Sequence, residues 1–196
     1  DVQIHCVVLA LLGDFISNQI HGAESAETNQ LQPMHAIAEA QSLIIGGIDF
    51  WLNHTDYQLY VVCKSGNHGR TTEKTRFTSE SGHSLEYLMF VCLQAHYRNE
   101  DRVVFIIEPG IHSYLSVYNE TLRFHHGHAI KYQGGVGGIT IPVNKAIAQW
   151  DQARQATFDV FGHYHQYTIG SKFLCNGSLI GYNGYAMSIK ASFERP

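Results

Sequence analysis

The chain has 196 residues, of which 44% are hydrophobic and 15% charged, a composition that fits one globular domain with a full core. The formal net charge of -4 excludes binding of nucleic acid by a global basic field. No apolar run is long enough to span a membrane and no signal peptide is visible, so the sequence predicts a cytoplasmic protein without a membrane partner. The four cysteines form no CxxC pair, and reduced, buried thiols are expected.

Strands alternate with helices in the first half of the chain, and hairpins appear in the second half. The predicted elements are a buried strand at 2–12, a helix at 33–52, a strand at 59–63, a helix from the cap Ser84 to about Arg98, a strand at 102–107, a hairpin at 114–118 and 121–124, a glycine-rich loop at 134–138, a helix at 143–154, strands at 158–161 and 173–175, and a tail strand at 185–193. This order predicts an α/β fold with a mixed pair of sheets.

One polar stretch, Ser65–Arg70, directly follows a short apolar strand. Within it, Asn67 offers a neutral oxygen ligand and His68 a titratable proton donor, while the flanking glycines let the backbone come close to a ligand. Chemistry in α/β proteins is often found where a buried strand gives way to a loop. Taken alone, however, the stretch is more typical of a buried turn with a satisfied histidine than of a functional site.

A carboxylate follows the first strand at Gly13-Asp14. At the end of a buried strand it has limited water and needs a positive partner, for which a metal ion is one candidate. The alternative is an aspartate that caps the next turn.

Four segments share one pattern, in which an apolar strand is followed by glycine and metal-capable side chains. They are Gly13-Asp14, Gly66-Asn67-His68, His126-Gly127-His128 and Gly162-His163-Tyr164-His165. Strand ends at the same edge of a sheet converge in space, and this mixture of oxygen and imidazole donors suits Mn, Fe, Zn or Co better than Ca. A histidine-rich protein without metal would require all four segments to coincide by chance.

The order of these segments resembles the calcineurin-like metallophosphoesterase superfamily. That family has Asp-x-His, Gly-Asp-x-x-Asp, Gly-Asn-His-Asp/Glu, a lone His and Gly-His-x-His. The residues here that match the last four in order are Gly13-Asp14, Gly66-Asn67-His68, His126 and Gly162-His163-Tyr164-His165. The likeness runs from Leu11 to Ser178 and is greatest to uncharacterised phage and bacterial members. It implies a four-layer sandwich of two mixed β-sheets flanked by helices, as a single domain over residues 1–196.

The resemblance implies a role for each matching residue. The implied ligands of two divalent metal ions, with Mn expected and Fe, Zn, Co or Ni as alternatives, are Asp14, Asn67, His126, His163 and His165. Asp14 would bridge the ions and His68 would be the catalytic histidine. We favour His126 over its neighbours as a ligand because it directly precedes the glycine. Arg70, Arg76 and His128 are candidate substrate contacts.

Two departures from the family pattern matter. Asp-x-His should lie roughly 25–35 residues before Gly13, about one βα unit, yet only twelve residues precede it. We therefore expect an N-terminally incomplete copy, with a lost second metal site as the alternative. In addition, Ser17 stands where some family branches have the second Asp, so the orientation of His68 must come from elsewhere.

The implied activity is that of a dinuclear metal-dependent phosphoric ester hydrolase. Metal-bound hydroxide would attack a phosphodiester, with DNA or a nucleotide as the expected substrate, while His68 would protonate the leaving oxygen or stabilise charge. Arg70 would grip a second phosphate oxygen. The missing Asp-x-His motif keeps an alternative open, a degenerate member that acts as a non-catalytic binding or assembly module.

Overall fold

The structure is a computed structural model that describes residues 3–20, 22, 27, 29–132, 134–135, 137–182, 184–188 and 190. The chain divides into two compact units, Asp1–Ser113 and Tyr114–Pro196. In the described residues, strands and helices combine into one sheet of parallel strands and one mixed sheet, both flanked by helices. This confirms the predicted α/β class with two sheets.

The sheet of the first unit consists, in its described part, of β1 (Cys6–Leu11), β2 (Gln58–Cys63) and β3 (Val103–Ile107). The strands pair in parallel in the order β1-β2-β3. Leu11 is in register with Cys63, and Cys63 with Ile107. All three strands therefore end level, and the loops that follow them leave the sheet at one edge, where parallel sheets bind ligands.

Helices α1 (Pro33–His54) and α2 (Leu85–His96) pack on this sheet. Pro33 lies in the first helical turn, where its missing N–H costs nothing. Ser84 is the predicted cap, and its hydroxyl accepts a hydrogen bond from the Tyr87 amide at 3.2 Å. The buried core of this unit is Leu11, Ile48, Leu59, Val61, Cys63, Met89, Phe90, Leu93, Tyr97 and Val103.

The first strand is less buried than its composition suggests. Cys6 is exposed, residues 7–10 are half-buried and only Leu11 is buried, so the prediction of burial on both faces is wrong for most of this strand. The reason is its position, because β1 is an edge strand among the described strands.

The sheet of the second unit consists, in the described ranges, of β4 (Ser113–Val117), β5 (Glu120–Phe124), β6 (Phe158–Phe161), β7 (Thr168–Ile169) and β8 (Phe173–Cys175). Its order is β4-β5-β6-β8-β7, with β5, β6 and β8 parallel and β7 antiparallel to β8. Phe124 is in register with Val160. The segments that follow β5 and β6 therefore leave this sheet at the same edge.

Helix α3 (Thr140–Trp150) packs on that sheet through Val143 and Ile147, against Phe161 and Phe173. The short strand β7 was not predicted. The predicted tail strand is wrong where the structure describes it, because Gly184–Ser188 form a short helix, α4, and 189 and 191–196 lie outside the described residues.

The thiols only partly follow the expectation of burial. All four cysteines are in the reduced thiol form, but Cys6 and Cys92 are exposed while Cys63 and Cys175 are buried. None of the described helices has both the length and the apolar character needed to cross a membrane.

Candidate metal centre

The first unit brings two of the predicted segments into direct backbone contact. Gly13 has a φ of +89°, and a Cβ at this position would overlap the backbone of Gly66. A Cβ on Gly66 would in turn overlap the carboxylate of Asp14. The glycines of both motifs are therefore required by the contact between the loops, at positions that no larger residue can occupy.

Asp14 is held against the loop that carries the Asn-His pair. Its Oδ1 accepts a hydrogen bond from the His68 amide at 2.9 Å, and its Oδ2 lies 3.9 Å from Nε2 of the same residue. Asp14 itself has a φ of +57°, a left-handed conformation that is uncommon for a residue other than glycine. The carboxylate therefore lies beside His68 at the edge of the sheet.

His68 is oriented by a backbone carbonyl. Its Nδ1 lies 3.1 Å from the carbonyl oxygen of Ser17, and because a carbonyl can only accept, this hydrogen bond places a proton on Nδ1. The Asn18 side-chain amide donates to the carbonyls of His68 and Arg70, both at 2.8 Å. The orientation that the sequence could not assign thus comes from the main chain at Ser17, the position of the missing aspartate.

Arg70 organises the loop in which Asn67 lies. Its guanidinium donates to the carbonyls of Asn67 at 2.5 Å, Thr72 at 3.2 Å and Glu73 at 3.4 Å. Asn67 is half-buried at the start of this loop, whereas Arg76 is exposed farther along it. The structure therefore gives Arg70 a structural role that its sequence context did not suggest.

Glu86, on the first turn of α2, was not singled out from the sequence. Its side chain is fully buried, Oε1 accepts a hydrogen bond from the Phe15 amide, and Oε2 accepts one from the Gly66 amide, both at 2.7 Å. One carboxylate therefore joins the loop after β1 to the loop after β2. In the sequence, an acid in a first helical turn is explained by the helix dipole alone, so no pattern revealed this contact.

The second unit brings three predicted histidines together. His126 is buried, and its Nε2 lies 3.1 Å from Nδ1 of His163. The His128 ring lies 5.3 Å from that of His126 and 6.3 Å from that of His163. Two imidazole nitrogens that bind one Zn-type ion at about 2.0–2.1 Å each are themselves roughly 3 Å apart. This histidine cluster therefore fits a metal ion.

The Gly162–His165 loop has an unusual backbone. His163 has a φ of +72° and His165 a φ of +57°, a conformation that costs about 1–2 kcal/mol per residue. Strain of this kind is found at functional sites, where the surrounding structure enforces it. Gly127 makes room for this loop, because a Cβ there would lie 2.9 Å from the carbonyl oxygen of Gly162.

His125 and His126 are neighbours in the chain but face different surroundings. The ring of His125 stacks on Phe161 at 4.8 Å, and its Nε2 lies 3.4 Å from Oδ1 of Asp159. Burial lowers the pKa of His125 below its ordinary value, which favours a neutral ring in the core. His126 instead contacts His163, as expected where successive side chains alternate.

A buried ion pair lies next to His125. Arg123 donates to both carboxylate oxygens of Asp159, at 2.7 and 3.0 Å, and to Oδ1 of Asp151 at 3.0 Å. Burial acts to lower the pKa of Arg123, but the hydrogen bond and charge of Asp159 outweigh it and raise the pKa. Burial likewise acts to raise the pKa of Asp159, while His125 and Arg123 together lower it. Both partners are therefore charged.

No protein-family model matches the chain, and a comparison with curated proteins also finds no match. Among solved structures, Vps29 from Entamoeba histolytica complexed with Zn²⁺ is 17% identical, covers 90% of this chain and 77% of its own, and has a TM-score of 0.43. A conserved uncharacterised protein from Streptococcus pneumoniae TIGR4, described as a predicted phosphoesterase, is 14% identical, covers 89% and 72%, and has a TM-score of 0.35. Both have the calcineurin-like metallophosphoesterase fold.

Proposed function

We propose that the chain is a metal-dependent phosphoesterase that hydrolyses a phosphodiester. The proposed metal ligands are Asp14, Asn67, His126, His163 and His165, and the proposed catalytic residue is His68. The observation that carries the proposal is the imidazole pair of His126 and His163, whose facing nitrogens are 3.1 Å apart, the spacing of two ligands on one ion. Asp14 and Asn67 add oxygen donors from two touching loops of the first unit.

The chemistry divides between the metal and the chain. Divalent ions bound by these ligands would polarise phosphate oxygens and lower the pKa of a bound water. The part of His68 follows from its tautomer. Because Nδ1 already carries the proton donated to the Ser17 carbonyl, the ring would have to be the doubly protonated imidazolium for Nε2 to give a proton to the leaving oxygen.

The donor set is compatible with several metals and with a polyanionic ester. Imidazole and carboxylate together suit Mn, Zn, Fe, Co and Ni, and we propose two ions, with Mn as the first metal to test. For the substrate we propose DNA or a nucleotide. Arg76 is the better candidate for a phosphate contact, because it is exposed while the guanidinium of Arg70 is engaged with loop carbonyls.

The test combines turnover with metal content. Asp14→Asn and His163→Ala should abolish manganese-dependent hydrolysis of bis-p-nitrophenyl phosphate and reduce bound metal. His68→Asn should keep the metal and lose about 10²-fold or more in turnover. His35→Ala is the matched control, because His35 is exposed on α1.

These measurements distinguish a metal-dependent enzyme from a non-catalytic binding or assembly module. Unchanged turnover in Asp14→Asn or His163→Ala would contradict the assignment, and loss of metal in His68→Asn would make His68 a ligand. Wild-type protein that binds metal without hydrolysing esters would favour the non-catalytic binding or assembly module.

A further inference from the structure

We propose that Glu86 is the positioning residue for the metal-binding loops of the first unit, and that it occupies the space which an acidic side chain at position 69 would otherwise fill. The inference rests on the proposed function, because it concerns Asp14 and Asn67 as ligands. It extends that function to a residue on a helix, outside every motif of the sequence.

Glu86 contacts both metal-binding loops of the first unit. Its two carboxylate oxygens accept hydrogen bonds at 2.7 Å from the amides of Phe15 and Gly66. Phe15 directly follows Asp14, and Gly66 directly precedes Asn67. A displacement of this carboxylate would therefore be transmitted through one peptide bond to each of the two ligands.

Glu86 is fully buried, with 0% exposure. A carboxylate out of water is stable only when hydrogen bonds replace its hydration. Charge-assisted hydrogen bonds are about twice as strong as neutral ones. The side chain is therefore fixed, and the two loops are fixed with it, as precise metal ligation requires.

The glycine at position 69 packs against the side chain of Glu86. A Cβ on Gly69 would lie 2.8 Å from Cγ and 3.0 Å from Cδ of Glu86. A side chain at position 69 and the side chain of Glu86 therefore compete for one space. The motif that this loop resembles, Gly-Asn-His-Asp/Glu, has an acid at the fourth position, and this chain has Gly69 there and a carboxylate supplied by α2.

The test is a double-mutant cycle with a conservative variant beside it. Glu86→Gln keeps the size of the side chain but presents an NH₂ donor to one of the two amides, and should weaken Mn²⁺ binding tenfold or more. Gly69→Glu alone should also be damaging, because two side chains then share one space. In the double variant Glu86→Ala/Gly69→Glu, Mn²⁺ affinity should recover above that of Glu86→Ala alone.

Three measurements separate positioning from general stability. Calorimetric titration gives the Mn²⁺ affinity, thermal unfolding reports folding, and hydrogen exchange of the Phe15 and Gly66 amides reports the contacts directly. Glu39→Gln is the matched control, because Glu39 is exposed on α1. The expected result for Glu86→Gln is faster exchange at both amides and weaker Mn²⁺ binding, with a folded protein.

Wild-type Mn²⁺ affinity and wild-type exchange in Glu86→Gln would overturn the positioning role. A double variant no better than Glu86→Ala would overturn the shared space. If the wild-type chain binds no Mn²⁺, the proposed function fails, and amide exchange alone then decides the role of Glu86. Exchange that is faster in Glu86→Gln than in Glu39→Gln supports that role, and equal exchange contradicts it.

Discussion

The two units position their candidate ligands by different means. In the first unit, Asp14 and the Asn67 loop are held by hydrogen bonds that backbone amides donate to two carboxylates, those of Asp14 and Glu86. In the second unit, the segment after β5 contacts the buried ion pair of Arg123 and Asp159 through His125. Oxygen donors are thus fixed through contacts between loops, and imidazole donors through the packing of a strand. Each arrangement predicts its own kind of failure.

The largest effect is expected in the second unit, at Asp159. Asp159→Ala leaves the fully buried guanidinium of Arg123 without its main partner, and breaking a buried pair in this way costs about 3–5 kcal/mol. The free energy of unfolding, measured by urea denaturation, should fall by this amount.

The control for this variant uses the same arginine. Asp151 also contacts Arg123, but its side chain is 16% exposed, so Asp151→Ala should cost less because water can reach the site. Equal losses in the two variants would show that burial of the Arg123–Asp159 pair is not what stabilises this unit.

The next effect concerns the loop contact of the first unit. Gly13→Ala places a Cβ into the backbone of Gly66 and forces alanine into a φ of +89°, for which we expect a loss of about 2–3 kcal/mol in the free energy of unfolding. Gly22→Ala is the matched control. Gly22 also has a positive φ of +62°, but a Cβ there meets nothing within 4 Å, so about 1 kcal/mol is expected. If both variants lose the same free energy of unfolding, backbone strain alone explains why position 13 requires glycine.

The fold was largely predictable from the sequence, because hydrophobic patterning identifies buried strands. The buried strands β2 and β6 are short apolar runs bounded by polar turns, and hydrophobic patterning found both. The tail at 184–188 is also rich in apolar residues, and we predicted a strand there, but it forms a helix. A run this short does not distinguish the helical period from the strand period. The exposure of β1 depends on its position in the sheet, which local pattern does not encode.

The candidate site was predictable only in part. Glycine beside a donor at a strand end pointed to Asp14 and His68 in the first unit and to His126 and His163 in the second, since strand geometry brings such positions to one edge of each sheet. The residues that hold these side chains were missed. Glu86 and Arg123 have ordinary sequence contexts, and their roles depend on contacts between residues far apart in the chain. Such contacts leave no local pattern in a single sequence.

The smallest expected effect distinguishes two buried cations, Lys64 of the first unit and Arg123 of the second. Lys64 directly follows β2, is 4% exposed, and donates to the carbonyls of Glu108, at 3.0 Å, and Gly110. Burial lowers the pKa of Lys64 from 10.5 to about 8, whereas the pKa of Arg123 is raised by its carboxylate partner. Lys64 should therefore titrate in the folded state under mild conditions, while Arg123 stays charged.

The sign of the pH effect follows from the two pKa values. Between about pH 8 and pH 10.5 the unfolded chain keeps the Lys64 proton that the folded chain releases, so stability rises with pH, by about 1 kcal/mol between about pH 8 and pH 9. Lys64→Met should remove this increment from the pH dependence of urea unfolding, whereas Lys74→Met, at an exposed lysine of the same unit, should retain it. An equal rise in the two variants would mean that Lys64 stays charged in the folded chain, as Arg123 does. The two units would then not differ in the charge state of these buried cations.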